Sequence, residues 1–190
     1  MPSQSKRLSV LLPAIALAAF MIGTRFHHFG SAVNLPDASI AVFFLLGLLL
    51  SWRWFPAFAL LAAGIDYAAT TWAGVSDYCI TPAYAFLLPA YAAVTFAGWW
   101  SRRHSALGRA DLAPVAVAAV LGAVAAFVIS NGSFYFFSGY FTDLSYAGYL
   151  AKTGHYAIPY VGWAMVYITA GLVAIKLARR LRAAGLGPVA

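Results

Sequence analysis

Six long apolar runs dominate the sequence and restrict the folds it can adopt. They cover residues 8–23, 39–52, 55–72, 81–100, 112–137 and 157–177. Asp66 and Lys176 are the only charged residues inside them. A helix needs about 20 mostly apolar residues to cross a bilayer, and uniformly apolar runs do not fit the alternating strands of a barrel. The runs therefore predict an all-α integral membrane protein in which residues 1–190 form one domain of six transmembrane helices.

The positive charges are distributed unevenly between the two sides of the predicted spans. Ten of the twelve Lys and Arg residues fall on one side, and Arg25 and Lys152 fall on the other. Because Lys and Arg are enriched in cytoplasmic loops, both termini are predicted to be cytoplasmic, in a multi-pass protein of the inner membrane. This topology explains the net charge of +7 better than nucleic-acid binding does. The first run, which follows Lys6 and Arg7, also fits a secretory signal, whose removal would leave five spans.

The acidic residues and the cysteine count exclude several kinds of chemistry. All five acids are Asp and there is no Glu, so a glutamate general base is excluded. Cys79 is the single cysteine, which leaves no internal disulfide and no dithiol redox pair. The sequence also lacks a Gly-x-Ser-x-Gly elbow and a His-Glu-x-x-His site. A small intramembrane enzyme is therefore a less favoured alternative to a transporter or a substrate-binding membrane protein.

Asp66 is the polar residue that the predicted membrane environment makes most unusual. It lies about eleven residues into a span that enters from the cytoplasm, which places it beyond the midplane. A carboxylate at bilayer depth costs about 2.5–3.5 kcal/mol and persists only beside a cavity or a partner. Two interpretations remain open: Asp66 lines a pocket that opens outward, or it braces a neighbouring helix.

Cys79 lies in a polar outer loop just before the fourth span. A helix N-terminus favours a thiolate, and a thiolate is a soft ligand suited to a transition metal. The alternative is the usual role of a lone cysteine, a small side chain that packs among apolar neighbours.

Histidine and aromatic residues also gather on the predicted outer side. His27 and His28 follow the first span, either as an interfacial pair or as part of the pocket. Tyr84, Tyr135 and Tyr156 belong to an aromatic group at the outer ends of the spans, larger than an interfacial belt requires. A large flat ligand would explain the excess. The outer loop from about 138 to 156 is long, as in a lid or an ordered surface loop.

This layout resembles the substrate-binding S-components of energy-coupling-factor transporters, and within them the BtuM family of small cobalamin transporters. The residues that carry the resemblance are His27, His28, Asp66 and the stretch Asp77-Tyr78-Cys79-x-x-Pro82-x-Tyr84. The layout covers essentially the whole chain, whereas the motif rests on these few positions.

The resemblance implies an S-component-like bundle that binds cobalamin (vitamin B12) or a related corrinoid as its substrate, with no cofactor of its own. Cys79 would be an axial thiolate ligand of the cobalt and would promote loss of cyanide from cyanocobalamin. Asp66, Tyr84 and one of the two histidines, with His27 favoured, would line the same site. Such proteins occur with or without an ATPase module, and this sequence contains no Walker motif. The closest alternative is an S-component for another vitamin, in which Cys79 has no role.

Overall fold

The computed structural model describes residues 4–25, 35–104 and 108–184, and over these ranges the chain is helical, with no β-strand. The prediction of an all-α fold is therefore confirmed. The helices are α1 Gln4–Arg25, α2 Ser39–Leu49, α3 Phe55–Trp72, α4 Leu87–Trp100, α5 Arg109–Phe137, α6 Tyr146–Thr153 and α7 Ala157–Ala183. Short 3₁₀ turns at Trp52–Trp54, Pro82–Phe86, Ser101–His104 and Gly154–Tyr156 join several of them.

Each of the six apolar runs contains a helix, but the structure differs from the prediction in three places. The fourth run, predicted as a span from residue 81, opens with a 3₁₀ turn, and α4 begins only at Leu87. The helix α2 has 11 residues and ends at Leu49, so it is only about 16 Å long. The segment predicted as a loop between 138 and 156 contains α6, whose first turn is capped by the Ser145 hydroxyl accepting from the Gly148 N–H. An eight-residue helix is too short to produce a distinct periodic signal, which explains why the sequence did not reveal it.

Within the described residues, two helical segments are long and apolar enough to cross a membrane. They are Ala110–Phe137 and Tyr146–Ala183, the second of which runs through α6, a 3₁₀ turn and α7. Both segments are only partly buried within the chain. Length and composition thus favour membrane association of these two segments.

The helix α2 forms the centre of the bundle. Ten of its residues are buried, and its neighbours include α1, α4 and α7. It runs parallel to α4, and the two backbones approach closely at Gly47 and Gly98. A Cβ atom at Gly47 would collide with the Thr95 carbonyl oxygen, and one at Gly98 would collide with the Phe44 carbonyl oxygen. The α2–α4 contact therefore depends on glycine at both positions.

We expect Gly47→Ala to lower the free energy of unfolding by about 3 kcal/mol, because the added methyl group meets backbone that cannot move aside. Thermal unfolding in detergent measures this change. Gly162→Ala is the matched control, since Gly162 lies in α7 with no atom within 4 Å of the added Cβ. An equal loss in both variants would contradict the close α2–α4 contact.

Candidate functional site

A buried ion pair connects α1 to α3 at one end of the bundle. Arg25 is the last residue of α1 and is 2% exposed, and Asp66 of α3 is 3% exposed. The Arg25 Nε donates to Asp66 Oδ1 at 2.8 Å, and Nη2 donates to Asp66 Oδ2 at 2.6 Å. This is the two-bond geometry in which a planar guanidinium and a carboxylate bind each other most strongly. Asp66 therefore braces a neighbouring helix, as one of the two sequence interpretations proposed.

The remaining donors of Arg25 connect it to the start of α2 and to α4. Its Nη1 donates to Ser39 Oγ at 2.6 Å, to the Tyr91 hydroxyl at 2.8 Å and to Asp37 Oδ2 at 3.2 Å. Asp37 in turn accepts from both the N–H and the hydroxyl of Ser39. Arg25 thus joins four helices through one side chain. We call Arg25, Asp37, Ser39, Asp66 and Tyr91 the Arg25 cluster.

Tyr84 extends the Arg25 cluster toward the loop between α3 and α4. Its hydroxyl donates to Asp66 Oδ2 at 2.6 Å, and its side chain is half-buried. Tyr84 belongs to the turn Pro82–Phe86, which starts where the Thr81 hydroxyl accepts from the Ala83 N–H. The structure thus brings together two of the predicted site residues, Asp66 and Tyr84, although Asp66 is already occupied by donors from the protein.

Cys79 is an exposed free thiol in the loop that precedes this turn. The loop starts at Gly74, whose φ of +67° is favourable for glycine and ends α3. The Ile80 N–H donates to the Asp77 carbonyl at 2.7 Å, and the Thr81 N–H donates to the Cys79 carbonyl at 3.1 Å. These bonds give the loop a defined shape and fix the backbone that carries the thiol.

An open groove of about 550 Å³ lies along this loop. Its lining consists of the last turns of α3 and the loop itself, with hydroxyl and carboxylate groups mixed with apolar side chains. The lining residues are Tyr67, Thr70, Thr71, Gly74, Val75, Ser76, Asp77 and Ile80. A second, apolar groove of about 450 Å³ between α3 and α4 reaches Tyr84 and Tyr91 from the side.

The Cys79 thiol has a higher pKa than an ordinary cysteine, so it stays protonated to a higher pH. Partial burial, followed by the negative charge of Asp66, raises its pKa. Burial and the Asp66 charge thus oppose the thiolate that the start of the fourth span was expected to favour. The helix end itself begins as a 3₁₀ turn at Pro82. A bound metal would still deprotonate the thiol, so metal binding here would release a proton.

We expect the rate of Cys79 alkylation by iodoacetamide to rise with pH. The pH at which this rate is half-maximal should lie above that of an unstructured thiol. The raised pKa means that less thiolate is present at any given pH, and the thiolate is the reactive form. Rates measured between about pH 7 and pH 10 span the ordinary thiol pKa. A peptide of residues 76–81 supplies the reference. A rate midpoint at or below that of the peptide would contradict the effects of burial and of Asp66 on the pKa of Cys79.

The predicted aromatic residues form a separate cluster beside the loop. Tyr78 stacks on Tyr140 with ring centroids 4.5 Å apart and contacts Phe134. Tyr135 packs near Tyr149, and its hydroxyl donates to the Leu144 carbonyl at 2.7 Å. Aromatic side chains from α5 and α6 thus pack against one another and against the Cys79 loop. Tyr135 belongs to this cluster and not to the Asp66–Tyr84 pair.

Besides Tyr135, three predicted site residues are not shown to join the Asp66–Tyr84 pair. Tyr156 is exposed at the start of α7, with its ring 4.0 Å from that of His155. His27 and His28 lie outside the described residues.

Sequence reasoning missed Arg25, which it counted only as a loop charge on the outer side. The signal that could have revealed Arg25 is Asp66 itself, because a carboxylate within an apolar span requires a partner. Arg25 and Lys152 are the only Lys or Arg residues on the predicted outer side.

The donors near Cys79 do not form a resident metal site by themselves. Among the described residues, no group of three or more His, Cys, Asp or Glu is close enough to hold a metal ion. One thiolate can supply a single ligand to a metal that is already held by a macrocycle. No protein-family model matches this chain, and no curated protein matches it.

Proposed function

We propose that this chain is a six-span membrane protein that binds cobalamin or a related corrinoid on the outer side and carries it inward. The observation that carries the proposal is the exposed Cys79 thiol in an ordered loop. Tyr78 of that loop stacks on Tyr140 of the aromatic cluster, and the turn that follows the loop carries Tyr84, which donates to Asp66. A corrinoid is a flat ring with a cobalt at its centre. It suits a site with one soft donor in a loop that packs against aromatic side chains.

The orientation proposed from the charges agrees with the arrangement of the helices. The Arg25 cluster, the Cys79 loop and the aromatic cluster all lie at the end of the bundle that we assign to the outside. Arg53, Arg102 and Arg103 lie at the opposite end, in the turns after α2 and α4. Because Arg25 is buried and paired, Lys152 is the only described Lys or Arg that adds a positive charge to the outer surface.

In the proposed mechanism the chain's own residues bind the substrate and exchange one ligand. Cys79 gives its proton to water, and its sulfur replaces one axial ligand of the cobalt. An electron-rich thiolate weakens the bond to the opposite axial ligand. When that ligand is cyanide, it leaves with its electron pair and takes up a proton from water. No electron transfer is needed for this exchange, so the step is a ligand substitution and does not require a redox partner.

The proposed uptake needs either a partner or a downhill gradient. A membrane ATPase module would supply the energy in the first case. In the second, later metabolism would trap the corrinoid inside the cell. The lipid bilayer supports the protein in both cases.

Uptake of radiolabelled cyanocobalamin by cells lacking other corrinoid importers tests the proposed function. We expect cells that produce this protein to accumulate label, and cells that produce Cys79→Ser to accumulate much less. Asp143→Asn is the matched control, since Asp143 is exposed in the segment between α5 and α6. Accumulation that is equal with and without the protein would overturn the proposal. Uptake that is unaffected by Cys79→Ser would favour an S-component for another vitamin with incidental corrinoid transport.

A further inference from the structure

A continuous path of hydrogen bonds runs from α1 to the carbonyl group of Cys79. Arg25 donates two bonds to Asp66, and Asp66 accepts the hydroxyl of Tyr84. The backbone N–H of Tyr84 then donates to the Thr81 carbonyl at 2.8 Å, and the Thr81 N–H donates to the Cys79 carbonyl. Every link is short enough to be a true hydrogen bond.

Asp66 has little capacity left for a substrate. Its Oδ1 accepts from Arg25, and its Oδ2 accepts from both Arg25 and Tyr84. The pair is also buried, so a ligand would have to displace strong protein contacts to reach the carboxylate. Asp66 is therefore better placed to hold neighbouring protein side chains than to contact a ligand in the groove.

We propose that Arg25 is a positioning residue of the corrinoid site, acting through Asp66 and Tyr84 on the loop that carries Cys79. This inference rests on the proposed function. Arg25 does not touch the substrate. Its guanidinium fixes both Asp66 oxygens in one orientation, and that orientation fixes the Tyr84 hydroxyl and the turn attached to it. Because a metal bond requires its ligand atom in one place, displacement of this turn weakens the cobalt–sulfur bond.

The variant Arg25→Lys tests this role while it keeps the buried positive charge. An ammonium group cannot make the two parallel bonds that a guanidinium makes. The Asp66 carboxylate would therefore no longer be held in a single orientation. We expect cyanocobalamin to bind about tenfold more weakly, the lower end of the effect seen when an outer partner of a metal ligand is changed. At saturating cyanocobalamin, we expect the visible spectrum to shift toward that of Cys79→Ser.

Thr95→Val is the matched control. It removes the buried hydrogen bond from the Thr95 hydroxyl to the Tyr91 carbonyl and leaves the path through Asp66 intact. We expect it to lower Tm but to leave the affinity and the saturated spectrum unchanged. If Arg25→Lys lowers Tm as Thr95→Val does, with the wild-type affinity and spectrum, Arg25 has only a structural role and the inference is overturned.

A double-mutant cycle on Tm separates this inference from the proposed function. We expect the losses in Arg25→Lys and in Tyr84→Phe to sum to more than the loss in the double variant, because both act through Asp66. Additive losses would overturn the path whatever the protein binds. If the wild-type protein binds no cyanocobalamin but the losses are non-additive, the proposed function fails and the path from Arg25 to Tyr84 is retained.

Discussion

Under the proposed function, Cys79→Ser is expected to abolish the cobalt–sulfur bond and with it the release of cyanide from cyanocobalamin. A serine hydroxyl is a hard donor that stays protonated, so it cannot replace a thiolate as a ligand of the cobalt. The variant should still fold, because Cys79 is exposed and its backbone makes the bonds that shape the loop. We expect cyanocobalamin affinity to fall at least about tenfold, as measured by equilibrium binding to protein in detergent. Free cyanide is measured in the same samples.

Ser76→Ala is the control for Cys79→Ser. It alters the same loop by removing the hydroxyl that accepts from the Tyr78 N–H, but it leaves the thiol in place. We expect it to retain cyanide release and to bind cyanocobalamin nearly as the wild-type protein does. If Cys79→Ser releases cyanide as fast as Ser76→Ala does, the thiol has no part in the exchange.

Asp66→Leu is expected to lower the free energy of unfolding by about 3–5 kcal/mol, the cost of leaving a buried charge without its partner. Arg25 would keep the weaker contact with Asp37, whose side chain is 25% exposed, but would lose both bonds to a buried carboxylate. Reversible unfolding of the protein in mixed micelles measures this loss.

The double variant Arg25→Leu with Asp66→Leu shows whether the loss comes from the unpaired charge. An apolar pair of similar volume leaves no guanidinium in the bundle, so we expect it to be more stable than Asp66→Leu alone. Asp77→Leu changes an exposed Asp in the nearby loop and should lie close to the wild type. A loss in Asp66→Leu no larger than that in Asp77→Leu would contradict a buried Arg25–Asp66 pair.

The apolar runs predicted the helices well because helix formation in such runs depends on local sequence. A run such as 55–72 has to satisfy its backbone hydrogen bonds internally if it lies in lipid, and α3 spans the same residues. The segment Tyr146–Thr153 is different. Its helix depends on one capping serine and on packing of Tyr149 against α5, and packing of this kind cannot be read from eight residues.

The candidate site was predicted only in part, for a related reason. Asp66 and Tyr84 are 18 residues apart, and the resemblance placed them at one site, where they form a hydrogen bond of 2.6 Å. Arg25 is 41 residues from Asp66, and pairing over that separation follows from how α1 packs against α3. The state of the Cys79 thiol likewise depends on burial and on the Asp66 charge, which the loop sequence alone does not show.

The central claim is that this chain binds a corrinoid through Cys79. Its most direct test is the visible spectrum of the wild-type protein, purified in the presence of cyanocobalamin and washed free of unbound ligand. We predict that about one corrinoid remains bound per chain, with absorption bands displaced from those of free cyanocobalamin by a sulfur ligand on cobalt. A folded preparation that retains no corrinoid, or one whose bound corrinoid has the unshifted bands of free cyanocobalamin, would contradict the claim.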